Sequence, residues 1–243
     1  MFWKKRKKEE PLWISAIIVA AGSSSRMAGI DKQSYPLGDI PVVARSIRAF
    51  YECPAISEIV LVCRECDIQV YYALMREHGF MRVRQIVAGG EQRQESVFRG
   101  IEACDQNAAY YAIHDGARPL VSAQIIDDCI AAAIEHGAAA AGVPVKDTIK
   151  VASPDGFISS TPDRSRLFAI QTPQIFEAKL YSRAMSEARR ENRVYTDDCQ
   201  LVEHTGRPVF ISPGDYTNIK ITTPEDLAVA EALVGYFEED ELY

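Results

Sequence analysis

The chain of 243 residues predicts an α/β fold: one mostly parallel sheet flanked by helices, with a single β-arm projecting from it. Three observations predict it. Short apolar, often β-branched runs alternate with helical patterns of roughly ten to fifteen residues, the signature of βαβ units. Three of the runs end in polar, glycine-bearing loops, at Gly22, at Gly89-Gly90 and at Asp115. Beyond Val143 the alternation breaks into a hairpin pattern with a polar turn.

In chain order, Ile14–Val19 is an apolar run and reads as a buried parallel strand. It breaks into Ala20-Ala21-Gly22-Ser23-Ser24-Ser25, small residues whose backbone N–H groups can approach an anion. Arg26 and Lys32 follow within the next turns. The loop is not a Walker loop, because Met27 stands five residues after Gly22 and no Gly-Lys-Ser/Thr follows. Nor is it a dinucleotide fingerprint, since Ser24 occupies the second glycine position. Residues 41–51 carry Val42, Val43, Ile47 and Phe50 at helical spacing. Residues 59–62 form a second short strand. Asp67 is expected to cap a helix running to His78 and stopped by Gly79. Residues 83–87 are a third strand, ended by Gly89-Gly90, and 95–104 the next helix. A fourth strand, 110–113, runs straight into His114-Asp115-Gly116-Ala117-Arg118-Pro119. Ser122 caps a helix that ends at His136-Gly137, and 138–143 are a fifth strand. Right-handed crossovers place the strand ends on one edge, so the loops at 22, 89–90 and 115 form one crevice.

Residues 147–151 and 157–158 around Ser153-Pro154-Asp155-Gly156 read as a hairpin, part of an arm over about 146–176. An isolated hairpin is marginally stable, and a partner subunit is a natural surface to hold it. Then come a helix over 177–191, a strand over 208–212, and a last helix opened by Thr223-Pro224-Glu225-Asp226.

Composition narrows the function. With 27 basic and 34 acidic residues the formal charge is -7, which argues against non-specific nucleic-acid binding. The run Lys4-Lys5-Arg6-Lys7-Lys8 stops at Glu9-Glu10-Pro11 and reads as a solvated tail over residues 1–12, leaving 13–243 as a single domain. The apolar stretch that follows is too short to span a membrane and no cleavage pattern marks a signal peptide, so the expected place is the cytoplasm. Of six cysteines, Cys63 and Cys66 form a lone C-x-x-C without the further ligands zinc needs; reduced thiols are expected.

The residues alone nominate Arg26 and Lys32 for polyphosphate, and Gly90 to Ser96, with Arg93, as a turn, cation and hydroxyl at a helix start. Asp115 at a strand end suits a metal, a ribose or an ordinary cap, and His114 suits a structural role. Lys220 alternates with Ile219 and Ile221, so a strand would point it away from them. No G-x-S-x-G or H-E-x-x-H motif is present.

Seven blocks in order, AAGSSSRM with the following KQ, GGEQRQESV, HDGARP, PVKDTIK, TPQIF, TDD and NIKIT, resemble the 2-C-methyl-D-erythritol 4-phosphate cytidylyltransferases of the non-mevalonate isoprenoid pathway. The resemblance runs from about Ile17 to Ala232. It implies a Rossmann-like nucleotidyltransferase fold, a homodimer interlocked through exchanged β-arms, a Mg²⁺ requirement, and CTP and methylerythritol phosphate as substrates. By position, Arg26 and Lys32 match transition-state stabilisers, while Arg164 and Lys220 match residues that position the substrate phosphate. Asp115, Arg118, Thr148 and Thr196 match substrate contacts, those of Thr148 and Arg164 reaching a partner's site. Ala20, Ala21, Gly22, Ser23, Ser24, Ser25, Gly90, Glu91, Arg93, Ser96 and Gly116 fall in the nucleotide site. Two positions depart from the family pattern: Ser24, where many members have glycine, and Gly116, where alanine is usual. A ribitol 5-phosphate cytidylyltransferase shares most of these blocks, and a non-catalytic nucleotide-binding scaffold is the remaining alternative.

Overall fold

A computed structural model describes residues 12–240; the Lys4 to Lys8 run lies outside them. In chain order the elements are β1 (Ile14–Val19), a small hairpin β2 (Pro36–Leu37) and β3 (Ile40–Pro41), α1 (Val42–Glu52), β4 (Glu58–Cys63), α2 (Ile68–Glu77) and β5 (Val83–Ala88). Next are α3 (Arg93–Glu102), β6 (Tyr110–Asp115), α4 (Ala123–His136), β7 (Ala138–Pro144), the arm strands β8 (Val151–Ala152) and β9 (Ile158–Ser160), and β10 (Phe168–Glu177). The chain closes with α5 (Ala178–Glu191), α6 (Asp198–Glu203), β11 (Phe210–Pro213) and α7 (Pro224–Asp240).

The main sheet has seven strands in the order β11-β7-β10-β6-β1-β4-β5. β1 pairs in parallel with β4 and β6, β4 with β5, and β7 with β11. Alternation along β1 divides the core, as a period of two requires. Ile14, Ala16 and Ile18 pack on the face covered by α1, α2 and α4, whereas Ile17 joins the cluster under α3, α5 and α6. A third cluster, with Met27, Leu37, Val42, Ile221 and Leu227, fastens the loop after β1 to α7.

Several expected boundaries hold. Ser122 Oγ accepts the Ile125 N–H at 3.3 Å, and Gly137 ends α4 with φ of 83°. Others move. Asp67 precedes α2, but its carboxylate makes no capping bond there and is taken by Arg64. The arm ends earlier than residue 176. Residues 168–177 are β10, which lies inside the main sheet, antiparallel to both β6 and β7. Its period is masked because Gln171, Thr172 and Gln174 are buried polar residues satisfied by side-chain bonds rather than by exposure. Residues 219–221 form no strand; they are held as a loop beside β10. No helix among the described residues is long and apolar enough to cross a membrane.

Candidate active site

The parallel strands bring three loops together at their carboxyl ends. Ala20 N–H donates to Val62 O at 2.7 Å, Gly89 N–H to Cys63 O at 2.8 Å, and Gly116 N–H to Val19 O at 2.9 Å. Between the loops lies a cleft of about 500 Å³. Its walls carry Ala21, Gly22, Ser23, Arg26 and Lys32 from the first loop. Gly90, Glu91, Arg93 and Ser96 come from the second, and Asp115 and Lys220 from the far side. Close approach requires Gly89: a Cβ there would stand 2.4 Å from Ala21 Cβ. Ala20, Ser24, Ser25 and Gly116 shape the loops without lining the cleft.

The second loop is stiffened from within. Ser96 Oγ accepts the Gly90 N–H at 3.0 Å and sits 3.1 Å from Gln92 O, so its hydroxyl closes the turn. Arg93 donates from Nε to Asp115 Oδ1 at 3.1 Å and from Nη1 to Asp198 Oδ2 at 2.7 Å. Asp198 is buried and also accepts the Tyr181 hydroxyl at 2.5 Å. Asp115 Oδ2 meets Lys220 Nζ at 2.7 Å. Burial alone would raise the Asp115 pKa, but Arg93 and Lys220 hold it well below the usual carboxylate range. Burial lowers the pKa of the Lys32 ammonium, with Lys220 adding to the effect, and Lys32 Nζ donates to Ile221 O at 2.8 Å. Arg26 is exposed and makes no ion pair among the described residues.

A second hollow of about 130 Å³ shares Arg93, Asp115 and Lys220 with the first and adds Arg118, Thr172 and Thr196. Arg118 Nη1 donates to Asn218 O at 2.6 Å, and Asn218 Nδ2 donates to Gln171 Oε1 and Thr172 O. These bonds from β10 fix the Asn218-Ile219 segment that presents Lys220. Thr148 and Arg164 stand apart, exposed on the arm; Arg164 Nη1 donates to Lys146 O at 2.8 Å and lines neither hollow.

His114 is not placed to act as a base. His114 is fully buried, its ring flanked by Arg118 O and Thr172 Oγ1, and burial lowers its pKa to about 4. Cys63 is buried with its thiol pushed up to about 12, mainly by burial, which disfavours its thiolate, whereas Cys66 is exposed. The residues do not form a metal cage: no group of three or more His, Cys, Asp or Glu is gathered among the described residues. Both Asp115 oxygens already face cations.

Sequence reasoning missed Asp198, Arg64, Asn218 and Gln33. The TDD block was the signal for Asp198; its first aspartate, Asp197, caps α6, whereas Asp198 turns inward to Arg93 and Tyr181. Gln33 lines the cleft, and its Oε1 is buried beside Gly116 with no partner among the described residues.

Residues 14–236 match the family model described as IspD, 2-C-methyl-D-erythritol 4-phosphate cytidylyltransferase. The chain belongs to this cytidylyltransferase family. The relative of that name from Caldanaerobacter subterraneus subsp. tengcongensis is 48% identical over 90% of this chain and 97% of its own. That from Syntrophotalea carbinolica is 44% identical over 91% and 96%. Among solved structures, the 4-diphosphocytidyl-2C-methyl-D-erythritol synthase of Anaerococcus prevotii superposes with a TM-score of 0.83 at 31% identity, covering 93% of this chain and all of that one. The cytidylyltransferase of Thermus thermophilus gives 0.73 at 30%, covering 91% and 98%.

The two departures from the cytidylyltransferase pattern now have a structural meaning. Ser24 adopts φ of 53°, the left-handed region in which glycine is at ease. At Gly116 a Cβ would meet Ala20 Cβ, Gln33 Oε1 and Val19 O, each at 3.2 Å, so an alanine fits only after small shifts.

Proposed function

We propose that this nucleotidyltransferase couples CTP to 2-C-methyl-D-erythritol 4-phosphate, forming 4-diphosphocytidyl-2-C-methyl-D-erythritol and pyrophosphate. The observation that carries this reading is the meeting of Arg26, Lys32 and Lys220 in one cleft at the strand ends, beside a second hollow with Arg118 and Thr196. The cleft takes the nucleotide; the hollow takes the sugar phosphate. An oxygen of the sugar phosphate forms a bond to the α-phosphorus of CTP, and the bond from that phosphorus to the bridging oxygen breaks. Pyrophosphate leaves with the electron pair.

A phosphate monoester has its second pKa near 6, so the nucleophile is already largely dianionic at neutral pH and needs no base. That fits the engaged, buried His114 and the ion-paired Asp115. What the reaction needs is two anions held close and charge neutralised as the displacement proceeds. Lys32 and Arg26 are placed for the triphosphate, and Lys220, held by Asp115, for the incoming phosphate. Mg²⁺ belongs to this reading as a bound ion that would supply neutralising charge beside the nucleotide phosphates; the described residues gather no group of three or more His, Cys, Asp or Glu to hold it by themselves.

Arg164 and Thr148 belong to the site only if they arrive from a second copy. The arm that carries them exposes Phe157 at 72% and Ile158 at 65%, apolar surface that a partner would cover. The active form in this reading is a homodimer with exchanged arms.

Pyrophosphate release from CTP and Mg²⁺, with methylerythritol phosphate and ribitol 5-phosphate offered in parallel, tests the assignment. Release with the first sugar phosphate alone is the expected outcome. Release with ribitol phosphate alone would overturn the substrate and keep the chemistry, and release with neither would leave a nucleotide-binding scaffold.

A further inference from the structure

Arg64 follows the last residue of β4 and stands on the wall of the nucleotide cleft, and the mechanism above gives it no part. Its guanidinium is gripped from two sides. Nε donates to Asp67 Oδ2 at 2.5 Å, and Nη2 pairs with Asp31 Oδ2. The other Asp31 oxygen accepts the Gln33 N–H at 3.1 Å, so the Asp31 carboxylate bridges across Lys32.

The loop needs such an anchor. Between Gly22 and Lys32 three residues take positive φ: Ser24 at 53°, Ala28 at 50° and Gly29 at 89°. Two turn bonds, Met27 N–H to Ser24 O and Ile30 N–H to Met27 O, brace it from within. Met27 is buried under α7, and Lys32 Nζ rests on Ile221 O; both tie the loop to the C-terminal part of the chain. On the side of β4 the tie is Arg64.

We propose that Arg64 is a positioning residue: anchored by Asp67 and pulling on Asp31, it sets where Lys32 meets the triphosphate. Its kinetic consequence rests on the cytidylyltransferase reading above. Half-exposed ion pairs contribute little to global stability, so the latch acts on geometry rather than on melting.

The experiment compares Arg64→Ala, Asp31→Asn and the double variant in steady-state kinetics, melting and amide hydrogen exchange. Arg64→Ala is expected to lower kcat/KM for CTP about 10- to 100-fold, the scale of an ångström-sized misplacement. KM for the sugar phosphate and the melting temperature should hardly move. Asp31→Asn should show the same defect, and the double variant should be no worse than either single one. Exchange of the amides at 27, 30 and 33 should speed up in Arg64→Ala while β1 and β4 stay protected. Wild-type kinetics for Arg64→Ala would overturn the proposal, as would losses that add in the double variant. Improved CTP binding in Asp31→Asn would overturn it too, showing that Arg64 grips the phosphates directly. If the wild-type chain releases no pyrophosphate from CTP, the functional reading has failed, and the exchange at 27, 30 and 33 decides the latch by itself.

Discussion

Lys32 shows at the scale of one residue how position sets role. Its ammonium is partly buried, hydrogen-bonded to Ile221 O, and made less basic by burial and by Lys220, so its charge is poorly hydrated and free to act on an anion. Lys32→Ala should cost roughly 10²–10³ in kcat, the range for losing one preorganised donor to developing charge. Full turnover in that variant would remove it from the mechanism. His114 illustrates the opposite use of burial. Its ring nitrogens are occupied by Arg118 O and Thr172 Oγ1, and its pKa is lowered to about 4. Below about pH 6.5 the unfolded chain takes up a proton that the folded chain refuses until about pH 4, so stability falls with pH across that window, by on the order of 3 kcal/mol in total. Asp115 loses its own contribution only below the unfolded value near 3.8, so it leaves this window to His114. Urea titrations at pH 7, 6, 5 and 4.5 should show that slope, and His114→Gln should flatten it.

Among the elements, β1, β4 and β7 were legible as short, mainly apolar runs, which burial on both faces selects; the polar Ser15 and Glu58 inside the first two are buried and bonded to each other at 2.6 Å. The loops at their ends were legible for the same reason: a polar, glycine-bearing stretch after such a run has to be where the strand stops. β10 was not. Gln171, Thr172 and Gln174 would mark a loop in sequence, yet each is buried and bonded to Asp215, His114 or Asp197. Arg64, between two cysteines, was not legible because its partner Asp31 is brought to it by tertiary structure, with Asp67 three residues on. Packing of α3 offers a test of the element's fit. A Cβ at Gly100 would stand 2.6 Å from Ile17 Cγ2 and 2.7 Å from Val62 Cγ2. Gly→Ala in a helix gains up to about 1 kcal/mol of propensity, whereas overpacking costs about 1–3 kcal/mol, so Gly100→Ala should come out destabilised by about 1 kcal/mol. A raised denaturation midpoint in that variant would show that α3 can shift off the sheet at little cost.

At the scale of the whole molecule the question is whether one chain makes a complete site. Arg164 and Thr148 sit on the arm and line neither hollow of their own chain. If arms are exchanged, Lys32→Ala and Arg164→Ala damage different chains' contributions to one site. Co-refolding the two weak variants in equal amounts should then restore about a quarter of the wild-type rate, since half the dimers are hybrids with one intact site. No recovery on mixing would return both residues to the same chain.

The cation-lined cleft also has a consequence for how the nucleotide gets there. Arg64, Arg93 and Lys220 each face one or two aspartates, which leaves Arg26 and Lys32 as the cleft cations without an ion pair among the described residues, in a chain whose formal net charge is -7. Two cations without carboxylate partners, set in a negative body, attract a polyanion to one place, speeding encounter as well as holding the bound state. Raising KCl from about 0.1 to about 1 M shortens the Debye length from about 10 to about 3 Å. Capture, read as kcat/KM for CTP, should therefore fall by roughly an order of magnitude as salt rises, while turnover at saturating nucleotide changes far less.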